Sequence, residues 1–265
     1  MIINILISYL LQIGFTIGII ILFGYLIALC NKLFYANFGA KSTIVCYVTG
    51  FIGTPIHELS HALMCVIFGH KINEIKLFQI SSKDGTLGYV NHSYNPRNIY
   101  QSIGTFFIGV APILVISCLL YLLLYLLLPD LTETIRSSIT SLDLSTDFKG
   151  VFSLFKTTFE GLISNTNNYK LWIFVAISIT LSLHMTLSGA DINGAKKGLV
   201  IIIILMLIVD IILGLINIDL LSQYTSGIMW FSNYLLLFLG TGLTCSIIAL
   251  IISYIIKYTI LKRTI

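Results

Sequence analysis

The stretch STIVCYVTGFIGTPIHELSHALMCVIF, residues 42–68, is almost entirely apolar, yet it carries His57, Glu58 and His61 close together. Residues four positions apart lie on one face of an α-helix, so His57 and His61 can each offer a ring nitrogen to the same metal ion. Glu58 then lies beside that ion, where it can take a proton from an attacking water. The motif therefore predicts a Zn²⁺ site with His57 and His61 as metal ligands and Glu58 as the catalytic residue.

The apolar surroundings strengthen this prediction. A charged group in the middle of a membrane helix costs about 2.5–3.5 kcal/mol on insertion scales, so three ionisable groups in one helix need a compensating partner. The other interpretation is a polar trio that neighbouring helices or cavity water satisfy. Ionisable residues inside a membrane are functional hypotheses by default, which favours the metal site.

The composition places the whole chain in the membrane class. Hydrophobic residues make up 57% of the 265 residues and charged residues only 10%, against about 25% charged in soluble domains. Apolar runs at about 3–30, 43–69, 101–128, 170–190, 198–218 and 233–257 are each long enough to cross about 30 Å of hydrocarbon as a helix. We predict an all-α polytopic membrane protein of about six transmembrane helices, with residues 1–265 forming one membrane-embedded domain.

The distribution of basic residues gives an orientation. If the N-terminus is cytoplasmic, the cytoplasmic segments hold most of the 15 Lys and Arg residues, as the positive-inside rule requires. We therefore expect a multi-pass protein of a bacterial cell membrane with both termini cytoplasmic. The histidines of the motif then lie between the middle of the second helix and its cytoplasmic end.

Two polar segments interrupt the apolar pattern. Residues 71–96 surround an Asp84-Gly85 turn signal, which predicts a small cytoplasmic β-hairpin after the second helix; a plain loop is the alternative. A free strand edge there could pair with an extended substrate. In the outer loop, about 129–169, apolar residues recur at helical spacing from Phe148 to Leu162. They predict an amphipathic helix that either lies on the membrane surface or packs against the bundle.

The metal needs one more ligand, because a catalytic zinc usually keeps three protein ligands. The downstream glutamates Glu74, Glu133 and Glu160 all fall in predicted loops. His184, Asp191 and Asp210 remain within the predicted membrane helices.

Asp191 lies at the predicted end of the fourth helix, on the cytoplasmic side where the second helix carries its histidines. It could complete the site, or it could be a solvated acid facing Lys196 and Lys197. His184 lies about two turns earlier on roughly the same face. It is a possible alternative ligand, a group that hydrogen-bonds near the metal, or an ordinary core histidine. Asp210 is a possible residue of the outer shell or the substrate path.

The five cysteines indicate neither a disulfide framework nor a metal site. All of them lie in or beside apolar runs, so no disulfide framework is indicated. Their spacing matches no metal site, and we interpret them as small core residues.

The residues Ile56-His57-Glu58-Leu59-Ser60-His61-Ala62-Leu63, followed by Phe68-Gly69-His70-Lys71-Ile72, resemble the first signature of the site-2-protease-type intramembrane zinc metalloproteases. In that family the motif helix likewise leads into a glycine-containing turn and a β-hairpin. The family's third ligand is an Asp in an Asp-Gly motif on a later transmembrane helix, and Asp191 matches it best. Here Ile192-Asn193-Gly194 follows that Asp, and Ser188-Gly189 replaces the usual Asn-Pro elements, which indicates a divergent branch.

The resemblance implies a zinc metalloendopeptidase that hydrolyses peptide bonds in or near transmembrane segments. Its expected partners are a membrane-protein or peptide substrate and the lipid bilayer, with no nucleic acid. The alternative is a metal-binding membrane protein, such as a sensor, a transporter or an inactive protease homologue, without proteolytic activity.

Overall fold

A computed structural model describes residues 1–80, 86–140 and 148–259, and most of these residues are helical. Its helices are α1 (Ile2–Ile13), α2 (Ile19–Ala36), α3 (Ser42–Ile67), α4 (Ile99–Leu127), α5 (Pro129–Thr140), α6 (Phe148–Ser164), α7 (Tyr169–Ser182), α8 (Gly189–Ile216) and α9 (Ile218–Thr259). A π-helical turn, Gly14–Gly18, joins α1 to α2 without a break. A short 3₁₀ turn, Gly39–Lys41, precedes α3.

Four helical segments in the described ranges are long and apolar enough to cross a membrane, namely Ile2–Ala36, α4, α8 and α9. They make this an integral membrane protein. The motif helix α3 is not among the four, and α7 has only 14 residues, or about 21 Å at 1.5 Å per residue. Each of the six apolar runs contains a helix, but the run at about 170–190 is broken between the end of α7 and the start of α8. Six membrane crossings remain a prediction.

Helix α4 lies at the centre of the bundle and packs against α3, α7, α8 and α9. Ile113, Ile116 and Leu120 of α4 are almost completely buried in the main hydrophobic core. Gly109 allows the beginning of α8 to come close, because a Cβ atom there would lie 2.6 Å from the Asp191 carbonyl oxygen. The close contact of α4 with α8 brings the N-terminus of α8 next to α3.

The predicted hairpin is present as an antiparallel pair, β1 (Lys71–Lys76) and β2 (Tyr89–Ser93), with an irregularity between Ile72 and Glu74. Gly69 connects α3 to β1 with φ of 67°, a left-handed conformation that favours glycine at the end of a helix. The Asp84-Gly85 turn signal lies outside the described residues.

The predicted outer loop contains two helices, α5 and α6. The amphipathic helix packs against the bundle: the Phe155 and Phe23 rings stack with centroids 6.5 Å apart, and Leu162 belongs to the main core. The expectation that Glu133 and Glu160 lie in loops is therefore wrong, because apolar neighbours on the same helices pack inward and leave both carboxylates on helical outer faces. Glu74 is on β1, where it accepts a hydrogen bond from the Tyr89 hydroxyl at 2.5 Å.

Candidate metal centre

The two motif histidines face each other on α3, with their Nε2 atoms 3.2 Å apart. The Nδ1 atom of His57 lies 2.7 Å from the carbonyl oxygen of His184, and Nδ1 of His61 lies 2.7 Å from that of Ile108. A carbonyl oxygen can only accept, so the hydrogen-bond network assigns the proton of each neutral ring to Nδ1. Both Nε2 atoms therefore present lone pairs to the same point.

The carbonyl of Ile108 is free because of a proline one turn later. In a regular helix it would accept from the backbone N–H of residue 112, but Pro112 has no such N–H. The carbonyl of His184 is free because α7 ends at Ser182, so His184 lies beyond the helix and no helical N–H follows it. These two free carbonyl oxygens thus orient the two imidazoles.

Asp191 approaches the same point from another helix. Its Oδ1 atom lies 3.3 Å from Nε2 of His61, while Oδ2 accepts a hydrogen bond from the backbone N–H of Ser188 at 2.7 Å. The Ser188 hydroxyl accepts from the Asp191 N–H at 3.1 Å, which completes a capping box. This cap fixes the side chain so that one carboxylate oxygen faces the histidines.

The expected position of Asp191 at the end of the fourth helix is wrong. It lies in the first turn of α8, because the Ser188 cap begins a new helix there. The predicted meeting of Asp191 with the motif helix nevertheless occurs, since α8 begins beside α3.

The convergence fits a zinc ion. Ligand atoms from His57, His61 and Asp191 all lie within 4.8 Å of one another. The donor set supplies two lone pairs and a carboxylate with no hydrogen between them, so the atoms repel unless a cation or proton joins them. Ligand atoms on a tetrahedral zinc lie about 3.3 Å apart, as Zn–N bonds of about 2.0–2.1 Å require, and the measured separations of 3.2 and 3.3 Å match this spacing.

Glu58 lies in the same cleft, which has a volume of about 530 Å³. Its side chain is buried, and it makes no hydrogen bond within residues 1–80, 86–140 and 148–259. The segment before β2 passes directly over it, since a Cβ atom on Gly88 would lie 2.8 Å from Glu58 Cγ. The carboxylate is therefore held beside the histidines with its oxygens available to accept a proton.

His184 lies outside the ligand set. Its ring contacts two threonines of α3, with Nε2 3.1 Å from Thr49 Oγ1 and Nδ1 3.3 Å from Thr54 Oγ1. Its backbone carbonyl, rather than its ring, orients His57. Of the roles that the sequence left open for His184, ligation is the one that the geometry argues against, because its ring is not part of the cluster of His57, His61 and Asp191.

Asp210 is also remote from the cleft. Its carboxylate accepts a hydrogen bond from the Gln12 side chain at 2.9 Å, and it is not among the cleft-lining residues. It belongs to a separate buried polar cluster between α1, α8 and α9.

Comparison of the chain with protein-family models, with curated proteins and with solved structures finds no match to any of them. The arguments for function therefore come from the motif and from the geometry of the cleft.

Proposed function

We propose that this chain is a membrane-embedded zinc endopeptidase that hydrolyses peptide bonds in or near transmembrane segments of membrane proteins. The observation that carries the proposal is the convergence of two lone-pair nitrogens and a carboxylate oxygen within 4.8 Å, with Glu58 in the same cleft. A His₂-carboxylate set beside a free glutamate is the arrangement that metal-assisted peptide hydrolysis requires.

The roles of the residues follow from their positions. His57 and His61 would hold the ion through Nε2, and Asp191 through Oδ1. A bound zinc would supply Lewis acidity toward a peptide carbonyl and toward water. The carbonyls of His184 and Ile108 keep the two histidines in the ligating tautomer, as outer-shell partners do in other zinc sites.

Glu58 would act as the general base and then as the general acid. Its carboxylate takes the proton of the attacking water while the water oxygen bonds to the peptide carbon. It returns that proton to the leaving nitrogen as the carbon–nitrogen bond breaks. Burial limits the amount of water around the carboxylate, so the attacking water in the cleft is its natural proton donor.

The cleft also offers a wall for an extended substrate. Tyr89, Val90 and His92 of β2 line it, and none of β1 does. Within the described residues, β2 pairs with β1 alone, so its other edge carries no strand. A substrate helix must unwind before attack, and pairing with this edge would restore some of the backbone hydrogen bonds that unwinding breaks.

We place the cleft on the cytoplasmic side. Lys197 lines it, and Lys71 and Lys76 are on the adjoining strand β1. The positive-inside rule then puts this end of the bundle in the cytoplasm. Water reaches Glu58 from that side.

The test uses the purified full chain in liposomes with a labelled single-span peptide whose apolar segment contains helix-destabilising Gly and Asn residues. We expect zinc-dependent cleavage by the wild type. Glu58→Gln should retain stoichiometric zinc, because Glu58 is not a ligand, and should lower the cleavage rate by about 10²–10⁴-fold, the usual contribution of a general base. Wild-type protein without zinc, or cleavage that survives the substitution, would contradict the proposal.

The same measurement separates the main alternative. Stoichiometric zinc without cleavage of any peptide in a panel of such sequences would identify a metal-binding membrane protein with no proteolytic activity.

A further inference from the structure

A second group of potential metal ligands lies next to the candidate metal centre. Cys65, His70 and His92 each offer one ligand atom, and these atoms all lie within 4.8 Å of one another. Cys65 is completely buried, and His70 is 6% exposed. They come from three parts of the fold: the last turns of α3, the residue before β1, and strand β2.

The tautomer of His70 is fixed in the same way as those of the motif histidines. Its Nε2 atom lies 2.8 Å from the carbonyl oxygen of Gln101 and must donate to it. Its Nδ1 atom therefore presents a lone pair, 3.1 Å from Nδ1 of His92. The ring is held in place by stacking on Tyr94, with centroids 4.8 Å apart. The separation of the two nitrogens again suits ligands of one tetrahedral ion, which lie about 3.3 Å apart.

We propose that Cys65, His70 and His92 bind a second zinc ion, distinct from the catalytic one. A thiolate with two imidazoles is a ligand set for a borderline-soft divalent ion such as Zn²⁺. On binding, the Cys65 thiol loses its proton to solvent and both imidazoles remain neutral. His92 also lines the cleft, so this ligand set adjoins the candidate metal centre.

The two sites share one helical face but no residue. His57, His61 and Cys65 follow one another at intervals of four, so Cys65 lies one turn beyond the first site. The second ion joins this face of α3 to β2, the strand that lines the cleft. Because Gly88, just before β2, packs on Glu58, the ion fixes the wall that covers the proposed catalytic base. Metal binding at the second site does not depend on proteolysis.

The test counts metal in the purified, detergent-solubilised full chain loaded with Zn²⁺ and freed of excess ion. We expect two ions per chain in the wild type and in Glu58→Gln. We expect one ion in Cys65→Ser and one in Asp191→Ala. Cys245→Ser is the matched control, because Cys245 is equally buried but lies on α9, and it should keep two ions.

Loading with Co²⁺ identifies the site, since a thiolate ligand gives a near-ultraviolet charge-transfer band. The band should appear in the wild type, in Cys245→Ser and in Asp191→Ala, and it should be absent in Cys65→Ser. In the Asp191→Ala protein, the band and the ion count report on the second site alone with Cys65 intact. The test therefore stands even if Cys65→Ser does not fold. A wild type with one ion that Asp191→Ala removes, or Asp191→Ala protein without the band, would overturn the proposal. In that case a hydrogen bond between His70 and His92 beside a neutral thiol is the correct description. Failure of the proposed protease activity would leave both ion counts unchanged.

Discussion

Gly53→Ala tests whether the packing of α7 on α3 holds His57, a proposed zinc ligand, in place. An added Cβ atom would overlap the His184 ring and lie 2.5 Å from the carbonyl oxygen of Thr180. Ordinary contacts need roughly 3.5 Å, so the two helices must separate by about 1 Å at this point. The obstacle is partly backbone, which cannot turn aside as a flexible side chain can.

The separation acts directly on His57. Its Nδ1 atom lies 2.7 Å from the His184 carbonyl oxygen, and a further 1 Å would bring the pair to about 3.7 Å, beyond hydrogen-bonding distance. Loss of an outer-shell partner typically weakens metal binding by about 10–100-fold, or about 1.4–2.8 kcal/mol. We expect a zinc Kd raised by that factor in the Gly53→Ala protein.

The assay is a competition titration against a chromophoric chelator in detergent. Both proteins carry Cys65→Ser, so that only the candidate metal centre titrates. Gly227→Ala on α9 is the control, because nothing lies within 4 Å of its added Cβ atom, and its zinc affinity should equal that of the parent. A Gly53→Ala protein that melts cooperatively and binds zinc within twofold of the parent would refute the reasoning.

Two further substitutions test the cleft. Gly88→Ala puts a Cβ atom 2.8 Å from Glu58 Cγ and 2.8 Å from the Lys76 carbonyl oxygen. We expect unchanged zinc content but peptide cleavage slower by about 10²-fold, the usual effect of a 1 Å misplacement. A cleavage rate within twofold of wild type would contradict this prediction. Pro112→Ala restores a helical N–H that competes with His61 for the Ile108 carbonyl. We expect zinc binding weaker by up to about tenfold, measured by the same chelator titration, and unchanged affinity would show that the carbonyl serves both donors.

Much of the fold was predictable because it depends on local patterns. The apolar runs identify helices by length alone, since a helix satisfies its own backbone groups inside the membrane. The β-hairpin was predictable from a polar segment with a turn signal. The number of membrane crossings was not predictable, because α7 is short and α3 carries polar residues. Hydropathy alone does not say how such helices lie in the bilayer.

The residues of the candidate site also divide into those that local spacing predicts and those that depend on packing between helices. His57, Glu58 and His61 are predictable because their spacing on one helix fixes their common face. Asp191 was predicted as part of the site but placed on the wrong helix, since only the Ser188 cap shows where α8 begins. The carbonyl of Ile108 was missed, although Pro112, four residues later, is a signal that could have indicated a free acceptor.

The helical membrane class and the two-histidine motif with its adjacent glutamate were predictable from the sequence, because composition indicates the first and spacing along one helix indicates the second. Which distant groups complete each cluster depends on how the helices and the β-hairpin pack together. Asp191 meets His61 because α8 packs closely on α4, and His92 meets Cys65 because β2 folds back over the end of α3. Cys65, interpreted from sequence as a core residue, thereby becomes a candidate ligand: contacts between separate elements depend on packing, which no local pattern encodes.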